Sequence, residues 1–261
     1  MTSSSIDDAR DLLEAASKVV VITGAGVSTA SGIPDFRGPD GIWTKDPAAE
    51  RLSNIDVFVS SAEVRMASWQ RVLTRRHTAI EPNAAHRALV DFEDSGKLSA
   101  IVTQNIDGLH LAAGSDPSLV IEVHGNLRLT RCLRCGAETP TDEILERVVQ
   151  GDHDPHCTAL VHGQICDGIL KTVVVSFGQP LPEQDFARAE FLAKTCDLLL
   201  CVGSTLTVRP VSGLVTKATS RGARLVIVNG EPTPFDDEAD VVVRGDIPTV
   251  LGPVLGVGAT N

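Results

Sequence analysis

Gly24-Ala25-Gly26, directly after the apolar run Lys18-Val-Val-Val-Ile22, is the first place in this 261-residue chain where residue type and spacing suggest chemistry. Glycines after a buried strand let the backbone approach a pyrophosphate and bring it to a helix N-terminus, where unpaired N–H groups and the helix dipole favour anions. The pattern stops short of the G-x-G-x-x-G signature, because Thr29 holds the last glycine position and no acidic residue ends a second strand about 20 residues on. A hydride-transferring dehydrogenase is therefore disfavoured. The next stretch, Gly32-Ile-Pro-Asp35-Phe36-Arg37-Gly-Pro-Asp-Gly-Ile-Trp43, is a polar, glycine-rich loop long enough to close over a bound cofactor.

Thr103-Gln104-Asn105-Ile106-Asp107 comes after another apolar run and crowds three hydrogen-bonding side chains at the end of a strand. Open α/β sheets bind ligands at that edge, whereas an Asn/Asp turn that caps its own backbone accounts for one or two of the three. Ile121-Glu-Val-His124-Gly125-Asn126 repeats the arrangement with a histidine, whose ordinary pKa near neutrality suits proton transfer. Two further strand ends, Gly203-Ser204-Thr205 and Asn229-Gly-Glu231, offer groups that reach phosphate or ribose hydroxyls. Cys132-x2-Cys135 and Cys157-x8-Cys166 put four thiols in one stretch. Four thiolates hold zinc tetrahedrally with no open position, so such a metal braces a lobe and activates no water. His153, His156 and His162 stand close enough in sequence to compete as ligands, while Cys196 and Cys201 read as core residues of an apolar strand and its approach.

Apolar periodicity predicts the elements that must position these residues. Ser5 precedes Ile6, Ala9, Leu12, Leu13 and Ala16, a helical stripe with Asp7 and Asp8 expected in its first turn. Buried-strand runs occur at 18–22, 100–103, 119–121, 173–175, 198–202, 225–228 and 241–243, with helical patterns at 86–92, 186–194, 211–220 and 247–255. Strand alternating with helix predicts a doubly wound α/β fold, a parallel sheet covered on both faces. Residues 38–82 and 131–169 break the rhythm and read as insertions forming a smaller lobe, the first helical and polar, the second holding four of the six cysteines.

Composition narrows the function classes. With 43% hydrophobic and 22% charged residues the chain has the make-up of a folded protein. Lys and Arg number 23 against 34 Asp and Glu, and the resulting charge of −11 has the wrong sign for a broad grip on phosphate backbones, so no direct nucleic-acid partner is expected. No apolar run approaches the ~20 residues that span a bilayer, so no membrane partner is expected. The first residues lack the basic and apolar stretches of a signal peptide. The expectation is a cytoplasmic protein whose clustered cysteines bind metal rather than form disulfides.

Taken together, these residues resemble the sirtuins, the NAD-dependent protein deacylases. The segment from Gly24 to Arg37, Gln104-Asn-Ile-Asp107, His124-Gly-Asn126, the cysteine quartet and Asn229 occur in that family's order and spacing, over about residues 15–255. The segment Phe36 to Trp43 and the wide second cysteine pair look most like the branch containing the nuclear chromatin sirtuins of vertebrates. The resemblance implies a Rossmann-like NAD-binding domain of residues 1–37, 83–130 and 170–261, a cofactor loop and helical insertion at 38–82, and a zinc-binding lobe at 131–169. NAD and an acyl-lysine peptide would meet in the cleft between the large domain and the lobe. One structural zinc would sit on Cys132, Cys135, Cys157 and Cys166. NAD would be bound by Gly24, Ala25, Gly26, Ser28, Thr29, Asp35, Phe36, Arg37, Trp43, Gln104, Asn105, Ile106, Asp107, Gly203, Ser204, Thr205, Asn229, Glu231 and Ile247. Val175, Ser176, Phe177 and Gly178 would pair with the peptide as a strand. The sequence departs from the family pattern where Ser204-Thr205 inverts Thr-Ser, where Lys171-Thr172 replaces Arg-Pro, and where Gln179 replaces Glu.

The implied reaction breaks the nicotinamide–ribose bond through an oxocarbenium-like transition state in a pocket shielded from water. The acyl oxygen of the lysine attacks the exposed ribose carbon to give an alkylimidate. His124 then acts as general base on a ribose hydroxyl, yielding O-acyl-ADP-ribose and free lysine, with Ser28, Asn105 and Asp107 positioning hydroxyls and water. Two alternatives use the same residues: transfer of ADP-ribose to protein or simple hydrolysis of NAD, and a non-catalytic NAD-sensing module. The resemblance implies that an acidic acyl group would be bound by a tyrosine and an arginine of the helical insertion. The chain contains no tyrosine, while Arg65, Arg71, Arg75 and Arg76 leave a lone arginine that could attract an acid, and an apolar acyl channel walled by Phe36, Ile106, Val175 and Phe177 is expected.

Overall fold

The computed structural model describes residues 2–35, 38, 41–45, 53–76 and 78–258. Its strands, in chain order, are β1 (Val19–Thr23), β2 (Leu98–Thr103), β3 (Val120–Glu122), β4 (Leu129–Cys132), β5 (Glu138–Pro140), β6 (Leu160–Val161), β7 (Gln164–Ile165), β8 (Leu170–Thr172), β9 (Leu198–Val202), β10 (Arg224–Val228) and β11 (Val241–Val243). The chain divides into two units, one of residues 1–41, 80–123 and 181–261, the other of 42–79 and 124–180.

The first unit is built on a parallel six-stranded sheet in the order β11-β10-β9-β1-β2-β3. Successive side chains of a strand point to opposite faces, and the central strands β1 and β9 are buried at every position because both faces are covered. Val19, Val21, Leu198, Leu200, Val226 and Val228 pack on one face with helices Thr2–Ala15, Ala84–Glu93 and Ile247–Leu255. Val20, Ile22, Leu199, Cys201, Leu225 and Ile227 pack on the other with helices Glu183–Thr195 and Gly213–Thr219. Each fully buried Val, Leu or Ile contributes about 1.5–3 kcal/mol, which is why this alternation specifies the register. From β1 the chain first winds outward to β2 and β3, then returns to β9 on the other side of β1. The direction of winding therefore reverses between β1 and β9, and open α/β sheets bind ligands at such a reversal, beyond the carboxyl ends of the strands.

In the second unit, β5-β4-β8 form an antiparallel sheet and β6-β7 a hairpin. Helix Ala62–Arg76 packs here through Trp69, which shares a core with Ile144, Leu145, Val148, Leu170 and the buried cysteines. Arg65 on that helix is nearly buried and donates to both carboxylate oxygens of Asp154 at 2.7–3.1 Å, and to the carbonyl of Val59 at 2.9 Å.

Two expectations from the sequence need correction. Val173–Val175 is not a strand of the parallel sheet: the strand is β8, just before it, and β8 pairs antiparallel with β4 in the second unit. A run of β-branched apolar residues reads the same in either sheet, so its partner was not legible. The first helix begins at Thr2, which puts Asp7 and Asp8 in its second turn, beyond the strongest part of the dipole.

Candidate active site

At the sheet reversal the loop after β1 is pressed directly against the loop after β9. Gly24 N–H donates to Val202 O at 3.0 Å and Gly26 N–H to Gly203 O at 2.8 Å. A Cβ on Gly24 would lie 2.7 Å from the Gly203 carbonyl oxygen, and one on Gly26 2.9 Å from the Gly203 Cα. Gly203 itself has φ +62° and would bring a Cβ within 2.4 Å of the Val27 nitrogen. The glycines are thus required by backbone-to-backbone contact. Ala25–Val27 and Thr29–Ser31 form two short 3₁₀ turns in place of one regular helix start.

The end of β2 supplies the polar groups. Ser28 is fully buried and Asn105 almost so. Asn105 Nδ2 donates to Gly24 O and to Ser28 Oγ, each at 3.1 Å, and the Ser28 hydroxyl donates to Asp107 Oδ2 at 2.8 Å. Asp107 Oδ1 accepts the Leu109 N–H at 2.9 Å. Gln104 Nε2 donates to Ser204 Oγ at 2.8 Å, joining the end of β2 to the end of β9. Among the described residues the Thr205 hydroxyl bonds its neighbour Thr207, at 2.9 Å, so the two hydroxyls of this turn have different surroundings.

Behind this set lie residues that sequence reasoning left without a role: Asn83, His86 and His110. Asn83 caps helix Ala84–Glu93, accepting from Ala85 N–H, and its own N–H reaches His86 Nδ1 at 3.3 Å. With Nδ1 accepting, the neutral ring carries its proton on Nε2, which faces Ser28 Oγ at 3.4 Å. Burial, opposed by the charge of Asp107, pushes His86 down to about 4, so it is neutral at pH 7. The His110 ring lies tilted 5.0 Å away, bonds Thr23 Oγ1 at 2.9 Å and is pushed down to about 3, again by burial. The signal was present: His86 follows an N-cap residue by three positions and sits on an apolar helix stripe.

Asn229 ends β10, is buried, and donates to Glu231 O at 2.7 Å. Asp35 accepts from Gly38 N–H at 2.9 Å. Thr29 is exposed and bonds Gly26 O at 3.1 Å, while Ile247 opens its helix with its side chain in the core. Ile106 is half-buried beside Asn105. Phe36, Arg37 and the side chain of Trp43 lie outside the described residues.

In the second unit, half-buried His124 stands in the turn after β3 and its carbonyl accepts from Val175 N–H at 2.9 Å. Gly125, at φ +71°, passes so close to Val173 that a Cβ would lie 2.1 Å from the carbonyl oxygen. The residue after His124 must therefore be glycine for the two segments to meet. Segment 173–177 is strapped down by alternate N–H groups: Val173 to Leu129 O, Val175 to His124 O and Phe177 to Ser53 O, at 2.9–3.0 Å. Ser176 N–H donates to the side chain of Gln179 at 2.9 Å, and Gly178 turns the chain at φ +86°.

Cys132, Cys135, Cys157 and Cys166 bring their sulfurs within 4.8 Å of one another. Ligands about 2.3 Å from a tetrahedral zinc stand about 3.8 Å apart, and the Cys132–Cys166 and Cys135–Cys157 sulfur pairs are both 3.7 Å apart. Burial pushes the Cys132 thiol up, but N–H bonds from Cys135 and Arg134 outweigh it and bring it down to about 7, ready to give a metal-binding thiolate. The four residues fit one zinc. Among the described residues no histidine joins the cluster, and His156 turns instead to Asp167 at 3.0 Å.

Fold and site define a doubly wound α/β protein with a polar cluster at the sheet reversal and a lobe built on four cysteines. A model of the Sir2 family matches residues 24–210, and the chain belongs to that family. It is 44% identical over 244 residues to NAD-dependent protein deacetylase 2 of Streptomyces coelicolor, covering 92% of this chain and 98% of that one. It is also 44% identical to NAD-dependent protein deacetylase 1 of Bradyrhizobium diazoefficiens, over 97% of this chain and 96% of the relative. A solved Sir2 structure holding a deacetylated p53 peptide and 3'-O-acetyl ADP ribose superposes with a TM-score of 0.85 at 33% identity, covering 98% of this chain and 99% of that one.

Proposed function

We propose that this protein removes acetyl and related acyl groups from protein lysine, consuming NAD and releasing nicotinamide and O-acyl-ADP-ribose. The observation that carries the reading is the bonded set of Ser28, Asn105 and Asp107 at the sheet reversal of a Sir2-family chain. Gly24, Ala25 and Gly26 give the pyrophosphate a close backbone approach, with Thr29, Asp35, Phe36, Arg37 and Trp43 completing that end. Gly203, Ser204, Thr205, Asn229, Glu231 and Ile247 serve the adenosine side. Gln104, Asn105, Ile106 and Asp107 hold the nicotinamide ribose, and Asp107, an anion already oriented by Ser28, stabilises positive charge developing on the sugar. His124 takes a proton from a ribose hydroxyl as general base. Residues Val175, Ser176, Phe177 and Gly178 hold the acyl-lysine peptide by strand addition, for which the strapped, partly exposed segment is suited.

Cys132, Cys135, Cys157 and Cys166 would hold one zinc that supplies folding energy to the lobe, since a closed tetrahedral set leaves no position for a reactant. Residues 1–37, 83–130 and 170–261 as cofactor domain, 38–82 as loop and insertion, and 131–169 as metal lobe remain our functional division of the chain. The absence of a nucleic-acid partner belongs to the same reading and rests on the charge of −11. So does a reducing, cytoplasmic location, supported by six unpaired thiols. Among the described residues no helix is long and apolar enough to cross a membrane.

The test is to incubate the protein with NAD and an acetyl-lysine peptide and to identify every product by mass. Deacetylated peptide, nicotinamide and O-acetyl-ADP-ribose in equal amounts are expected. ADP-ribosylated protein, or free ADP-ribose with the peptide unchanged, would replace this reading with one of its two alternatives on the same site.

A further inference from the structure

Lys171 is 5% exposed, yet among the described residues no carboxylate pairs with it. A buried ammonium without an acid is expensive unless its three donors find acceptors. Here they turn to the chain just ahead: Lys171 Nζ donates to Val174 O and, at 3.4 Å, to Thr172 O. The same Nζ stands 5.8 Å from the centre of the Phe58 ring, on helix Ile55–Ser60. Arg131, its neighbour across the β4–β8 ladder, is directed to Glu138. Burial lowers the lysine to about 8, so its charge is held at pH 7.

The two carbonyls it grips belong to the lead-in of the segment 175–178. At the far end of that segment, Phe177 pairs with the chain entering the same helix, through Phe177 N–H to Ser53 O and Ile55 N–H to Phe177 O, both 3.0 Å. The segment is therefore tied to helix Ile55–Ser60 at both ends, by a cation at one and a backbone bridge at the other. A neutral apolar residue would fill the volume of Lys171 but would leave the Val174 carbonyl unheld.

We propose that Lys171 is a positioning residue for the acyl-lysine peptide: by holding the carbonyls of Thr172 and Val174 against Phe58, it fixes the backbone of 175–178 in the form the peptide pairs with. This rests on the reading that 175–178 carry the peptide. In this assignment Lys171 acts through the backbone of 175–178, so its loss acts on peptide affinity and leaves the chemistry alone.

The experiment compares the wild-type protein with Lys171→Met and Lys171→Arg, using one acetyl-lysine peptide and varying peptide and NAD separately. Lys171→Met is expected to raise the peptide KM about tenfold, the effect of one lost charge-assisted hydrogen bond, with kcat and the NAD KM within about twofold. Lys171→Arg, which keeps the cation, is expected to recover most of the loss. An unchanged peptide KM in Lys171→Met would overturn the assignment. So would a fall in kcat and a rise in both KM values together with a lower melting temperature, which mark a merely structural residue. Amide hydrogen exchange on the wild-type protein, with and without peptide, tests the underlying reading separately. Slowed exchange across 173–178 is expected, and its absence would overturn the strand-addition reading and with it the role of Lys171.

Discussion

The Ser28 hydroxyl has little rotational choice. It accepts from Asn105 Nδ2 and faces the Nε2–H of a neutral His86, so its own proton goes to Asp107. That proton keeps the Asp107 carboxylate an acceptor at Oδ2 and fixes which way it faces. The site is therefore preorganised before any ligand arrives, the condition under which charges stabilise a transition state most effectively. His124 is held differently, by its main-chain carbonyl, and its ring is the part proposed to move a proton. Replacing it by alanine should leave Gly125 and the Val175 contact in place. His124→Ala is expected to lower the rate of deacetylation by about 10²–10⁴-fold, the usual worth of a general base, with NAD affinity by calorimetry little changed. A variant that keeps full turnover would remove His124 from the mechanism.

At the scale of elements, what was legible in the sequence is what depends on local pattern. The strand runs and the helices between them were readable because continuous apolar stretches and apolar periods of 3.6 are written in neighbouring residues. The strand-end cluster after β2 was readable as a set, because a self-capping turn accounts for one or two of its polar side chains but not for all three. The partner of β8 was not, since pairing is a long-range choice, and neither was the buried pair of His86 and His110, which join only when two separated helices pack. The arginines of the insertion were equally undetermined, and the structure gives partners to two of them. Arg65 is engaged by Asp154 and by main-chain carbonyls, and Arg76 pairs with Asp142 at 3.3 Å. With those two neutralised and no tyrosine in the chain, an acidic acyl group finds no ready partner from them, and an uncompensated carboxylate is costly to bury. Acetyl- and butyryl-lysine are expected to exceed succinyl-lysine by at least about tenfold in kcat/KM on one peptide backbone. A preference for succinyl would mean that another cation lines the acyl site. The cysteine lobe gives a second element-scale expectation. Because Cys132, Cys157 and Cys166 share a core with Trp69, losing the metal should loosen helix Ala62–Arg76 as well as the lobe. Cys166→Ser should bind well under one zinc per chain and melt at a lower temperature, and metal analysis finding no zinc in the wild-type protein would discard the site.

For the molecule as a whole, the two buried histidines set how stability answers to acid. In the unfolded chain each has its ordinary pKa of 6.5, whereas in the folded protein burial holds His86 at about 4 and His110 at about 3. A group whose folded pKa is lowered contributes stability that is complete above its unfolded pKa and is lost as pH falls toward the folded one. Between pH 6.5 and about 4.5 the unfolded chain therefore takes up two protons that the folded chain refuses. Each pH unit in that window costs up to about 1.4 kcal/mol per histidine, so the pair accounts for about 2–5 kcal/mol, a large share of the 5–15 kcal/mol that holds a typical domain together. The carboxylates held low, such as Glu190 at about 2 beside Lys194 and Lys217, add to acid lability only below their ordinary range, so the window above pH 4.5 isolates the histidines. Urea unfolding at pH 7, 6 and 5 should show stability falling with a slope approaching two protons at the acid end. In His110→Phe, which removes the deeper ring's proton uptake but keeps its bulk, the slope should approach one, even though the lost bond to Thr23 lowers stability at pH 7. A flat profile from pH 7 to 5 in the wild-type protein would mean that the histidines take protons without unfolding, and Ser28 would then lose the neutral donor that fixes its direction.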